Sequence, residues 1–161
     1  MDDSLLPPYF RRFRRIYSCE LQLMSFLPEL QSRTASRLLA TQIGELIDFC
    51  RTRRNTLELL ALEHPVSAAG DQCSEMARLI QSQRQLLSGE VASHLQNDFV
   101  SDICEAVHCK LIQDYSLARS FASKLKFQED AKKFDEVIDQ LMTRFPRLWD
   151  RMDLGVLESA A

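Results

Sequence analysis

The stretch FRRIYSCELQLMSFLPEL, residues 13–30, decides the fold. Phe13, Tyr17, Glu20, Met24 and Leu27 follow at intervals of four, three, four and three, which places them on one line of an α-helix. Four of the five are large and mainly apolar, so the line faces a core. Glu20 is bracketed by them. A bare carboxylate there is costly, so the reading requires it to be protonated, paired or bound to a cation. The alternative is a Glu20 swivelled to the bundle edge, where it touches an arginine. The helix reads from about Pro8 to Gln31, and Pro28 is expected to kink or end it.

The same period recurs four more times. A second helix reads from a cap at Ser32 or Thr34 to about Leu62, with Leu39, Ile43, Leu46, Cys50, Leu57 and Leu60 inward, and Glu63-His64-Pro65 stops it. A loop (PVSAAGDQ, 65–72) leads to a short helix over about 74–87, striped by Met76, Leu79, Ile80 and Leu86 or Leu87. A fourth helix covers about Leu95 to Leu125, with Phe99, Ile103, Val107, Leu111, Tyr115, Ala118 and Phe121 or Ala122 inward. A fifth covers about Gln128 to Arg144, with Ala131, Phe134, Ile138, Leu141 and Phe145 inward before Pro146 breaks it. Two long helices, a crossover helix and two more long helices predict an all-α, ferritin-like four-helix bundle. One domain accounts for residues 1–161, with a core of about 10–145 and a C-terminal tail over 146–161 that docks irregularly or stays loose.

Composition agrees. Gly and Pro together are only 9 of 161 residues, too few for the frequent turns of a β-sandwich or barrel. Twenty basic against 23 acidic residues give a net charge of −3, which argues against a chain built to coat nucleic acid. No apolar run approaches the ~20 residues of a membrane span, and the opening MDDSLLPPYFRRFRR lacks the pattern of a signal peptide. Five cysteines, Cys19, Cys50, Cys73, Cys104 and Cys109, form no CxxC and read mostly as small hydrophobes. A reduced, cytoplasmic setting is expected.

Candidate function lies where polar groups interrupt the inward lines. Glu105-Ala-Val-His108 spells ExxH, a spacing that can deliver a carboxylate and an imidazole to one metal in di-iron bundles; the plainer reading of His108 is a hydrogen-bonded core histidine. Glu20, Glu105 and His108 are the candidate metal ligands, with Asp48 or Asp139 flanking. Glu45, Asp48, Asp135, Glu136 and Asp139 all fall beside the apolar lines rather than on them. Arg53 or Arg54, on the second helix, could instead reach inward and neutralise Glu20. No Gly-rich phosphate loop, GxSxG or HExxH is present. The cluster Arg11, Arg12, Arg14 and Arg15, interleaved with Phe10 and Phe13, reads as a solvated helix face, as do Lys124, Lys126, Lys132 and Lys133.

Three segments carry a resemblance. Residues 13–30, with an aromatic, a Tyr-Ser-Cys-Glu run and a Leu-Pro; Gln72-Cys-Ser-Glu-Met-Ala-Arg-Leu-Ile80; and Tyr115-Ser-x-Ala-Arg-x-Phe-Ala122 resemble the small bacterial ferritin-like proteins of the YciE/YciF stress-response type. The resemblance spans about Phe10 to Met142. It implies a ferritin-like bundle, a homodimer, and a two-metal position at the centre where Glu20 is the helix-one ligand. At the other positions the pattern is broken: the helix-two His and Glu appear as Ile43 and Leu46, the helix-four glutamates as His108 and Leu111, and the helix-five ligands fall near Gln140 and Leu141. One carboxylate and one histidine cannot hold two irons, each of which wants several O and N ligands. The expectation is therefore a non-catalytic, metal-free and stress-associated bundle, with Glu20, Glu105 and His108 vestigial. An iron-binding ferritin-like protein is the alternative. A further one is an interaction module that presents the first-helix basic face or the Trp149 tail to a partner protein.

Overall fold

A computed structural model describes residues 3–88 and 93–143, and every regular element in them is helical. After a short 3-10 turn over Asp3–Leu5 come α1 (Leu6–Arg33), α2 (Arg37–Leu62), α3 (Ser74–Leu87), α4 (Ser93–Lys124) and α5 (128–143). α1 packs most extensively on α2 and also meets α4 and α3. α5 closes the bundle through Phe134, whose ring lies 6.3 Å from that of Phe13 on α1 and 6.0 Å from that of Tyr115 on α4. This is the all-α bundle of four long helices with α3 crossing between two hairpins.

The core follows the sequence stripes with a rotation. On α1 the buried line is Tyr9, Phe13, Ile16, Cys19, Glu20, Leu23, Phe26, Leu27 and Leu30, while Tyr17 and Met24 sit at its edge. Two expectations for the first hairpin are corrected. Pro28 does not end α1 but lies inside it, and the helix runs on to Arg33 with the ring on its exposed face. The cap of α2 is Ser36, not Ser32 or Thr34. Its Oγ accepts from the Leu39 N–H at 3.2 Å, satisfying one of the donors a helix start leaves open. On α3, Leu86 is exposed and Leu87 buried, which settles that pair.

The turn between α4 and α5 has a defined geometry. The Phe127 N–H bonds the Ala122 carbonyl at 2.9 Å, the Lys126 N–H bonds that of Ser123 at 3.1 Å, and Lys126 adopts φ 62°. That pair of bonds around a left-handed residue is a Schellman cap, here without the usual glycine. Phe127 then stacks near Tyr9 and His64, so the turn is pinned to α1 and to the end of α2.

Candidate functional site

Glu20 is wholly buried at the centre of the bundle, and four bonds converge on its carboxylate. Arg53 on α2 reaches it with both arms of the guanidinium, Nε to Oε1 at 2.7 Å and Nη2 to Oε2 at 3.1 Å. Tyr115 on α4 donates its hydroxyl to Oε1 at 2.9 Å, and the Cys50 thiol lies 3.0 Å from Oε2. The edge position weighed for Glu20 is thus not adopted. Of the two arginines weighed as its counter-charge, Arg53 is the one that turns inward; Arg54 lies by Glu58 near the surface. From α4 it is Tyr115, seven residues beyond His108, that donates to Glu20.

The electrostatics of the cluster follow from burial and charge. Burial works against the Arg53 cation, but the Glu20 charge and its hydrogen bonds outweigh this and raise the arginine above its ordinary value. Burial, then the Glu20 charge, pushes the Tyr115 hydroxyl and the Cys50 thiol up, so both remain proton donors at neutral pH. His108 is buried, and desolvation followed by the Arg53 charge lowers it to about 4, which keeps its ring neutral near pH 7. Charge-assisted, two-armed pairing of this kind is among the stronger polar contacts a protein makes.

The positions around this pair are hydrocarbon. Ile43, Leu111 and Leu141 are buried, and Leu46 borders a cavity of about 10 Å³ beside Arg53, shared with Leu23, Ile103 and Val107. That volume is at the lower limit for a single water. Of the three sequence candidates for metal ligation, Glu20 is held by Arg53, His108 is buried on α4, and Glu105 is exposed. Asp48 and Asp139 are exposed too. Among the described residues no group of three or more His, Cys, Asp or Glu side chains stands close enough to hold a metal ion. The donor set present does not fit a two-iron centre.

A second buried polar cluster escaped the sequence reading. Asp130, in the first turn of α5, accepts from the Tyr9 hydroxyl and lies 2.6 Å from His64 Nε2, under the rings of Phe10 and Phe127. Burial and then the bond to Asp130 push Tyr9 up. The three groups stand at 9, 64 and 130 in the chain, so no spacing rule joins them. The only sequence signal was an acid at the third position of a helix, where the dipole favours negative charge. The basic cluster on α1 is partly neutralised, Arg14 by Asp71 at 2.6 Å and Arg12 by Asp114 at 3.5 Å.

Residues 6–143 match a family described as a domain of unknown function, DUF892. The chain belongs to that family. The bundle superposes on the crystal structure of the Escherichia coli stress protein YciF with a TM-score of 0.89 at 16% identity, covering 94% of this chain and 96% of that one. It also matches YcfI from Rhodopseudomonas palustris, provisionally described as a structural protein, with a TM-score of 0.76 at 15% identity, over 86% of this chain and 93% of that one. No curated protein matches. At these identities the likeness establishes the fold, and the DUF892 chain keeps that fold with an arginine–glutamate pair at its centre. No described helix is long and apolar enough to cross a membrane.

Proposed function

We propose that this DUF892 protein is a non-catalytic, ferritin-like structural bundle in which Arg53 supplies the positive charge that a metal supplies in di-iron bundles. The observation that carries the reading is the two-armed Arg53 contact on Glu20, which occupies both carboxylate oxygens. A cation at 4 Å or less satisfies a buried carboxylate whether it is a metal or a guanidinium. The hydrocarbon at 43, 111 and 141 removes the further ligands that two irons need. The protein acts as a cytoplasmic homodimer, without metal or nucleic acid; an association with stress is carried over from YciF, which is described as a stress protein.

Elemental analysis of protein purified without chelators tests this directly. The expected result is iron, manganese and zinc all far below one per chain. Ferrous iron added to the protein should then leave the melting temperature unmoved, whereas a ligand at 100 times its Kd stabilises by ~2.7 kcal/mol. Stoichiometric metal, or a melting shift that Glu20→Ala abolishes, would restore the iron-binding reading with Glu20, Glu105 and His108 as ligands.

A further inference from the structure

Glu20 takes only one edge of the Arg53 guanidinium, through Nε at 2.7 Å and Nη2 at 3.1 Å. A guanidinium carries five N–H groups in a planar fork, so the end made by Nη1 and the second N–H of Nη2 is left over. No other acceptor meets it among the described residues, although Arg53 is only 4% exposed. None of its nitrogens is a sealed atom without a partner, so the spare N–H groups reach open space.

That space is a groove of about 500 Å³ between α2 and α5, in which Arg53 and Val137 are the buried residues and form the floor. Sites for small molecules run to about 300–1,000 Å³ and are mainly apolar; this one has the volume but polar walls. Thr52 and Thr56 on α2, and Thr143 on α5, donate their hydroxyl protons to carbonyls four residues back, at 3.1, 3.1 and 2.8 Å. Each proton is thereby committed, and each oxygen offers the groove only lone pairs. Lys133 and Glu136, a turn apart on α5, pair at 3.2 Å where both reach solvent. Such a surface pair is worth little and is readily redirected to a ligand. Asp139 stands at the rim, exposed.

We propose that this groove binds a small zwitterionic acid, an amino acid or dipeptide. Its carboxylate takes the spare fork of Arg53 with Lys133 as the second cation, and its ammonium is taken by Glu136, Asp139 and the threonine oxygens. A carboxylate is the group that a guanidinium fork fits in two-armed fashion. Charge selects this class over its neighbours. Three acids, counting Glu20 behind the floor, face two bases, which repels a plain anion. A plain cation leaves the Arg53 fork unmet. The proposal uses the Arg53–Glu20 contact but goes beyond the structural reading of the bundle, which metal analysis tests separately.

The test titrates the nitrogen-15-labelled full chain by NMR with each protein amino acid and with glycylglycine, at millimolar concentration. At least one should bind saturably, moving the amides of 52–56 and 133–143 and leaving those of α3 in place. The N-acetyl form of the best binder lacks the ammonium and should bind roughly tenfold more weakly. Glu136→Gln with Asp139→Asn should weaken the parent compound by a similar factor without weakening its N-acetyl form. Both positions are exposed, so the variant keeps its fold. The proposal is overturned if no probe binds saturably or if the shifts gather elsewhere. It is overturned equally if the double variant binds the parent compound as tightly as wild type, or if the N-acetyl form or inorganic phosphate binds wild type as tightly as the parent does.

Discussion

Removing either member of the Glu20–Arg53 pair leaves the other charged in a dry core. Glu20→Ala and Arg53→Met are each expected to destabilise by ~3–5 kcal/mol in urea unfolding. Glu20→Gln should be nearly as costly, since an amide keeps the hydrogen bonds yet strands the guanidinium. Had a neutral His108 been the partner, the amide would have been mild. The double replacement Glu20→Leu with Arg53→Met should cost far less than the two single changes summed, because desolvation of both charges disappears together. Additive losses would show that the two residues do not act as a pair.

His108 supplies the pH dependence at this scale. Its folded-state pKa, about 4, lies below the ordinary 6.5, so between these values the unfolded chain binds the extra proton. Stability from this residue is therefore full above pH 6.5 and is lost as pH falls toward 4, at about 1.4 kcal/mol for each unit. His108→Gln should flatten that part of the profile; a variant that loses stability in parallel with wild type would remove His108 as the cause. The Glu20 position was legible because a line of the helix period passes through it. Tyr115 lay on a legible line as well, but its hydroxyl is silent in a hydropathy pattern. The partners of Asp130 were hidden, since they are 66 and 121 residues away.

Among the elements, the existence of each helix was readable and its ends were less so. α3 was readable to the residue because Cys73 and Ser88 flank a clean stripe. The start of α2 was misplaced since three hydroxyl residues, Ser32, Thr34 and Ser36, stand in a row, and period alone cannot choose among them. The Ser36 bond to Leu39 makes the choice, and Ser36→Ala should cost about 1 kcal/mol. Thr34→Ala should fall within ~0.5 kcal/mol, as for other surface changes. A greater loss for Thr34→Ala than for Ser36→Ala in thermal melts would return the cap to Thr34. Pro28 sits inside α1 without ending it because a proline's cost is tied to the face it occupies. The ring stands on the exposed face, and the packing of Phe26, Leu27 and Leu30 carries α1 past it.

At the scale of the molecule, the bundle was legible from stripes and connection lengths, whereas assembly leaves only a faint trace in one chain. Leu59 and Leu62, 66% and 80% exposed, lie three residues apart on one side of the end of α2, and no described part of the chain covers them. Phe145, Pro146 and the tail with Trp149 lie outside the described residues. The proposed homodimer would draw on such surface, with about 1,600 Å² buried in a standard interface. Light scattering at micromolar concentration should then report twice the 18.6 kDa of the chain. Leu59→Lys with Leu62→Lys places two cations where apolar contact is needed and should return the mass to that of one chain without loss of helical signal. Both substituted positions face solvent in the monomer, so a fall in mass with unchanged folding assigns the interface to this end of α2. A wild-type protein that scatters as a single chain rejects the dimer itself, while a dimer indifferent to both lysines moves the interface to another face.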